Sequence, residues 1–311
     1  MKIIIYAILS LSVFFISCTD EDAVSSSDNN RIELSFLIDN YNTDLTKATS
    51  LGSEEEQKIN NLYIYLFPTV GSQSLVKYYI SSSSFTGGTW DMVAKKIAVN
   101  LTQAEIGKRD VYIVANCSAI KSNLDGVTSI SGLQSVLQTA SAPWIPNINT
   151  PLLMSGNKSH DFNNNYQLNS IPLVRAVAKL QLNIKLSDGH RSLPVVDGVS
   201  QYKYKLVNFD KNTYVLKPSV KPDNLVSSAS WTVWDAAGTL TSYSMTDSKV
   251  NSLSLTTYFN ERDNTGAAVE ISLPYQASGP LPPPEFGDES YKLLLPAKIE
   301  RNHWYIYDIE I

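Results

Sequence analysis

Arg31-Ile32-Glu33-Leu34-Ser35-Phe36-Leu37-Ile38-Asp39 carries an apolar side chain at every second position. Ile32, Leu34, Phe36 and Ile38 fall on one face, and Glu33, Ser35 and Leu37 on the other, which is the period of a half-buried strand. The same period returns over residues 59–67, 75–80, 95–101, 111–115, 177–186, 202–207, 252–258, 269–273, 291–295 and 304–311. Tyr, Val, Ile and Leu dominate these segments, while Gly, Asn, Asp, Ser and Pro fill the breaks. Many short strands with turn punctuation predict an all-β chain built as sandwiches. Helix is scarce: residues 102–106 form one short candidate, and the Leu133, Val136, Leu137 spacing within residues 131–140 predicts about two and a half turns.

Ahead of that first strand the chain changes character. Lys2 precedes an apolar run over residues 3–16, interrupted by Ser10 and Ser12, which is the charged head and apolar middle of a secretory signal. The run falls short of the roughly 20 residues that a membrane-spanning helix needs. Cys18 follows Phe15, Ile16 and Ser17 in a spacing that resembles a bacterial lipobox. The resemblance implies removal of residues 1–17 as a lipoprotein signal peptide and lipidation of Cys18, whose several acyl chains would anchor the mature chain in the outer membrane. Residues 18–30 open with Thr19, Asp20, Glu21 and Asp22 and continue rich in Ser, Asp and Asn, an acidic tether with little to pack. That cluster is similar to the surface-export signals of some Gram-negative lipoproteins, and serves equally as a plain soluble linker.

Composition narrows the partners. The formal net charge of −5 becomes −6 once Lys2 leaves with the signal, so the surface repels phosphate backbones and no nucleic-acid partner is expected. With Cys18 given to lipid, Cys117 is the remaining cysteine, so neither a disulfide nor a cysteine metal site forms within one subunit. The chain is long enough for two domains with substantial cores. A polar, Pro- and Asn-rich passage over residues 141–172 precedes a strong strand, which divides the chain into residues 31–172 and 173–311, with the joint near Pro172. Pro280 and Pro282, Pro283 and Pro284 read as a stiff surface crossing.

Catalytic groups are not apparent. His160, His190 and His303 have no metal-ligand spacing and read as surface histidines; no nucleophile elbow or phosphate loop occurs. Glu54, Glu55 and Glu56 read as a charge run that caps or solvates a loop. The expectation is a chain that is not an enzyme and takes no cofactor and no metal. Five tryptophans, Trp90, Trp144, Trp231, Trp234 and Trp304, could supply a stacking surface for sugars, with Trp231 and Trp234 the exposed pair. That leaves a second reading open, a surface lipoprotein that binds glycan or a tip adhesin.

Four local patterns, in order, carry a family resemblance. They are Lys47-Ala48-Thr49 with residues 54–58 ahead of the strand at 59–67; Val111-Tyr112-Ile113-Val114-Ala115-Asn116; Val174-Arg175-Ala176-Val177-Ala178-Lys179; and Ile299-Glu300-Arg301-Asn302-His303-Trp304-Tyr305. Over essentially its whole length the chain resembles the fimbrillins, the type V pilins of anaerobic Gram-negative bacteria. The resemblance implies two transthyretin-like β-sandwich domains and the role of structural subunit of a surface fimbria in cell adhesion. It also implies that a trypsin-like protease cuts after a basic residue following the first strand, which then leaves. Lys47 matches that position and Arg31 is a second conceivable cut. The expected partners are other copies of the chain or related pilins, joined head to tail, and a host receptor or glycan.

The physical logic stands apart from the resemblance. Losing Ile32, Leu34, Phe36 and Ile38 from a core costs about 6–12 kcal/mol at ~1.5–3 kcal/mol per side chain, against a whole-domain stability of roughly 5–15 kcal/mol. A domain so opened must recruit another strand, and a groove and donor on different faces build a filament. Tyr305, Tyr307, Ile309 and Ile311 share one face of the candidate donor strand, which could equally be the last strand of its own domain. Residues 291–295 are the other donor candidate, and fimbrillins are thought to swing C-terminal strands outward on polymerising.

Overall fold

The computed structural model describes residues 31–43, 50–140, 150–235, 241–276 and 286–311. The first half supplies β1 (Ile32–Ile38), β2 (Asn42–Thr43), β3 (Leu62–Pro68), β4 (Val76–Ile80), β5 (Ser84–Phe85), β6 (Gly88–Asp91), β7 (Lys96–Val99), β8 (Lys108–Ala115), β9 (Leu137–Thr139), β10 (Met154–Asp161) and β11 (Gln167–Arg175). The second supplies β12 (Val177–Lys185), β13 (Val195–Val196), β14 (Val199–Ser200), β15 (Lys203–Asp210), β16 (Asn212–Tyr214), β17 (Leu225–Ser228), β18 (Thr232–Val233), β19 (Thr241–Thr246), β20 (Lys249–Asn260), β21 (Ala268–Gln276), β22 (Phe286–Leu294) and β23 (His303–Glu310). Short helices α1 (Glu54–Gln57), α2 (Gln103–Ile106), α3 (Lys121–Asp125) and α4 (Ile130–Ser135) sit between them. The class is the expected one, all-β with few short helices.

In the first half the strands run β4-β3-β8-β10-β11-β1-β7-β6-β5 in one continuous sheet. β11 serves two neighbours, pairing with β1 over most of its length and with β10 only at Val174 and Arg175. The two limbs of the sheet therefore close on one core, in which Ile32, Leu34, Phe36 and Ile38 meet Leu62, Ile113 and Ile97. Gly156 lets them approach: a Cβ there would lie 1.9 Å from the Pro172 carbonyl oxygen. In the second half, β19-β20-β12-β23-β2 and β17-β15-β21-β22 form two sheets that share one core from both faces. Core membership changes over between Val177 and Ala178, with no intervening linker. Pro172 lies inside β11, opposite Leu37.

Two local expectations change. β3 alternates in sequence, yet both its faces are buried, because the segment carrying α3 and α4 covers Tyr63, Tyr65 and Phe67. The Tyr65 hydroxyl donates to the Leu124 carbonyl at 2.8 Å, holding that cover down. The helix expected over residues 131–140 stops at Ser135, after which Leu137–Thr139 pairs with β16 of the other half. Sheet pairing across the halves outweighs helix propensity there.

Candidate functional site

β1 lies between two partners. It runs parallel to β11, setting Phe36 opposite Ile171 and Ile38 opposite Leu173, and antiparallel to β7, setting Leu34 opposite Ile97. Ile32, Leu34, Phe36 and Ile38 are 0–5% exposed, whereas Leu37 on the other face is 41% exposed. The strand is thus bonded along both edges and buried along one face, and its side chains fill the middle of the first core.

Beyond β1 the chain crosses to the second sandwich. Tyr41 bridges to Ser50, and β2 adds to β23 in parallel, Asn42 opposite His303. Asn302, left-handed at φ 57°, turns its amide into this crossing: its Nδ2 donates to the Asn40 carbonyl and its own carbonyl accepts the Asn42 N–H at 2.9 Å. Arg175, at the end of β11 and fully buried, gathers the rest. Its guanidinium donates to the carbonyls of Asp39 (2.8 Å), Leu51 and Glu56 (3.3 Å) and to Asn302 Oδ1 (3.0 Å). Its fifth contact is the ring of Tyr41, 4.2 Å from guanidinium carbon to centroid, a desolvated cation–π pair.

Glu56 is the anion of this cluster. Ser53 caps α1 reciprocally with Glu56, so the helix start aims the carboxylate inward. There it accepts from the hydroxyls of Tyr41 (3.1 Å) and Tyr258 (2.7 Å) and pairs with Lys179 Nζ at 3.0 Å. Burial pushes the Glu56 pKa up, but the Ser53 N–H, the Tyr258 hydroxyl and the Lys179 ammonium outweigh it and hold the carboxyl below its usual range. Burial raises the Tyr41 and Tyr258 phenols far above theirs, so both remain donors. Lys179 also lies 4.0 Å from the Trp304 ring centroid, and Tyr41 meets Trp304 edge-on at 6.0 Å. The residues on either side of positions 44–49 are thereby fastened to one buried set of charges at the junction of the sandwiches.

Other expected site residues fall as follows. Cys18, the signal and tether, Lys47, Trp144 and the run Pro282 to Pro284 lie outside the described residues. In β23, Tyr305 is buried, stacked on Phe259, while Tyr307, Ile309 and, just past the strand, Ile311 pack partly buried against the second core; the strand pairs in parallel with β12. Trp231 is exposed beneath Lys205 at 4.7 Å, but Trp234 is buried, its Nε1 donating to the carbonyls of Ser242 and Ser254, so the expected exposed pair is a single ring. His190 and His303 are buried and not surface residues: His190 is held between the Pro274 carbonyl and the Tyr291 hydroxyl, and His303 stacks on Tyr305. Cys117 is buried, and burial pushes its thiol up to about 12, which removes thiolate reactivity. Among the described residues no group of three or more His, Cys, Asp or Glu gathers as a metal cage.

The joint cluster itself was not singled out in the sequence. Glu54 to Glu56 read there as a run that caps or solvates a loop; Glu56 does cap α1, but its partners Lys179 and Tyr258 lie 123 and 202 residues away. Ser53-x-x-Glu56 does carry the capping-box spacing, the one local sign that this glutamate turns back on its own backbone.

Comparison with known proteins meets this architecture half by half. Residues 31–169 match the family model of the major fimbrial subunit protein FimA, and residues 176–310 match that of the C-terminal part of the minor fimbrium tip subunit MfA4. The minor fimbrium tip subunit MfA4 of Porphyromonas gingivalis is 44% identical over 334 aligned positions, covering 100% of this chain and 99% of that protein. The chain belongs to the fimbrillin family. It is a fimbrial subunit, of a family of surface fimbriae and cell adhesion. Among solved structures, a cell adhesion protein of Parabacteroides distasonis shares the fold at a TM-score of 0.57 and 15% identity, over 90% of this chain and 87% of that one. The tip fimbrial protein Mfa3 of Porphyromonas gingivalis, truncated at its C-terminus, shares it at 0.50 and 13%, over 89% and 94%.

Proposed function

We propose that this fimbrillin is exported as a lipoprotein anchored through Cys18 and polymerises when a trypsin-like protease cuts at Lys47 and β1 is exchanged for a strand from a neighbouring subunit. The observation that carries the reading is the burial of Ile32, Leu34, Phe36 and Ile38 between β11 and β7, on a strand that precedes Lys47 in the chain. Its departure opens a groove with two sets of unpaired main-chain groups and an uncovered core, worth about 6–12 kcal/mol in apolar burial alone. An extended segment of another subunit restores both. The two halves, joined within about ten residues of Pro172, act as domains, and the C-terminal strand with Tyr305, Tyr307, Ile309 and Ile311 is the donor that swings from its own sheet. The acidic tether supports display on the outer-membrane surface, and the role is structural, not enzymatic.

Incubating the purified precursor with trypsin tests this: a ladder of oligomers on an unboiled gel is expected. Lys47→Ala should abolish it. Precursor that is cut yet stays monomeric refutes strand exchange, and ladders from Lys47→Ala remove that cleavage site.

A second reading, placement at the fimbrial tip with glycan contact, draws on the exposed Trp231 ring and on the 44% identical tip subunit. Loss of glycan-array binding in Trp231→Ala supports it; no binding by the unaltered protein excludes it.

A further inference from the structure

The groove filled by β1 does not end where the apolar side chains end. Three residues past Ile38, Tyr41 is inserted, fully buried, into a recess whose walls belong to the remainder of the molecule. Its hydroxyl meets Glu56 at 3.1 Å and its ring lies against Arg175 at 4.2 Å, with Lys179 at 5.7 Å. The wall at Gly52 is bare by necessity: at φ +77°, a Cβ there would lie 2.8 Å from the Tyr41 ring and 2.5 Å from the Glu56 carboxylate.

None of these walls leaves with β1. Gly52 and Glu56 follow Lys47 in the chain, Arg175 ends β11, and Lys179 belongs to β12. When residues 31–43 depart, the recess keeps two cations and a carboxylate. It loses the ring that lies against Arg175, one hydroxyl donor to Glu56, and the Asp39 and Asn40 carbonyls that satisfied Arg175 and Asn302. Water can refill the hydrogen bonds but not the desolvated face over the guanidinium. A strand with only four alternating apolar residues would close the groove and leave this end open.

Resting on the strand-exchange reading, we propose that the vacated groove includes a phenol socket, formed by Glu56, Arg175, Lys179 and Gly52, which selects an incoming strand that carries a tyrosine three residues beyond its last inward apolar side chain. The partner is thus an extended segment of a related pilin that differs from this chain, with apolar residues at four alternating positions and then a tyrosine, a pattern that neither residues 291–295 nor Tyr305, Tyr307, Ile309 and Ile311 display here. The phenol supplies a donor for Glu56 and a ring for Arg175, and the strand's last carbonyls supply acceptors for Arg175 and Asn302.

Peptide competition separates this from the reading beneath it. Full-length precursor, nicked by trypsin and then inhibited, is challenged with synthetic peptides spanning residues 31–43, unaltered or carrying Tyr41→Phe or Tyr41→Ala. Replacement of the resident fragment is followed by native mass spectrometry. Because the changes are in the peptide, no variant protein has to fold. Tyr41→Ala should need about 100-fold more peptide for half replacement, and Tyr41→Phe, which keeps the ring and loses the Glu56 bond, about tenfold more. Equal potency of all three overturns the socket and leaves strand exchange standing. Failure of even the unaltered peptide to replace the fragment overturns strand exchange, and the socket with it.

Discussion

Replacing Arg175 by methionine tests whether the joint holds the molecule together. Methionine keeps most of the volume and removes the charge, the four hydrogen bonds and the cation–π face. The carbonyls of Asp39, Leu51 and Glu56 then lose a charged donor, at roughly 1–3 kcal/mol for each group left buried and unsatisfied. Glu56 retains Lys179 at 3.0 Å, so its own charge is not stranded and the total stays near the 3–5 kcal/mol typical of breaking a buried ionic network. With a urea m-value of about 2–3 kcal/mol/M, the midpoint should fall by about 1–2.5 M. Combining Arg175→Met with Tyr41→Leu should be less than additive, by about 2 kcal/mol, because each substitution alone already removes the shared contact. Urea unfolding followed by tryptophan fluorescence measures all four corners. A loss under about 1 kcal/mol for Arg175→Met, or strict additivity with Tyr41→Leu, would show that the cluster fills space without binding the crossing segment.

Leu34→Ala should cost about 2–5 kcal/mol and Leu37→Ala, on the exposed face of the same strand, about 0.5 kcal/mol or less; equal costs would mean β1 does not present one face to the core. Glu56→Gln should destabilise at pH 7 by an amount that shrinks with acid. The folded carboxyl sits below its unfolded value near 4.3, so its contribution is present above that value and is lost as pH falls through the folded pKa. Urea midpoints of both proteins at pH 7, 5 and 3.5 should therefore converge, and a constant gap would rule out the carboxylate as the group responsible. Gly156→Ala should cost more than about 2 kcal/mol, since its Cβ would strike the Pro172 carbonyl, whereas Gly71→Ala, with nothing within 4 Å, should be nearly silent by thermal melting.

The alternation of Ile32 to Ile38 is legible because a strand with one buried face writes that face into every second residue. β3 is less so: Tyr63, Tyr65 and Phe67 look like an outer row, and only the chain around α3 and α4 makes them interior. The joint is the least legible part. Arg175, Lys179 and Asn302 stand in the very patterns that carry the family resemblance, yet their burial follows from partners up to 262 residues away. Periodicity records which face is covered; it does not record which charges meet there. The same limit explains His190 and His303, whose polar surroundings in sequence give no sign of the contacts that bury them, with Pro274 and Tyr291 for one and Tyr305 for the other.

The division of labour within residues 31–43 follows from these energies. Apolar burial along β1 is large and tolerant, because any strand with four inward side chains of suitable volume recovers most of it. The polar joint contributes less net stability, since taking Arg175, Lys179 and Glu56 from water offsets much of what their contacts return. Its contribution is discriminating instead: a segment that misplaces one carbonyl or omits the phenol leaves Arg175 or Glu56 one partner short in a buried site, and such mismatches cost more than matches gain. Under the proposed exchange, a fibre whose subunits differ would need both kinds of contact, one strong enough to drive exchange and one exacting enough to choose the neighbour. With the second placed beyond the end of the first, a wrong strand would enter the groove and still fail to lock.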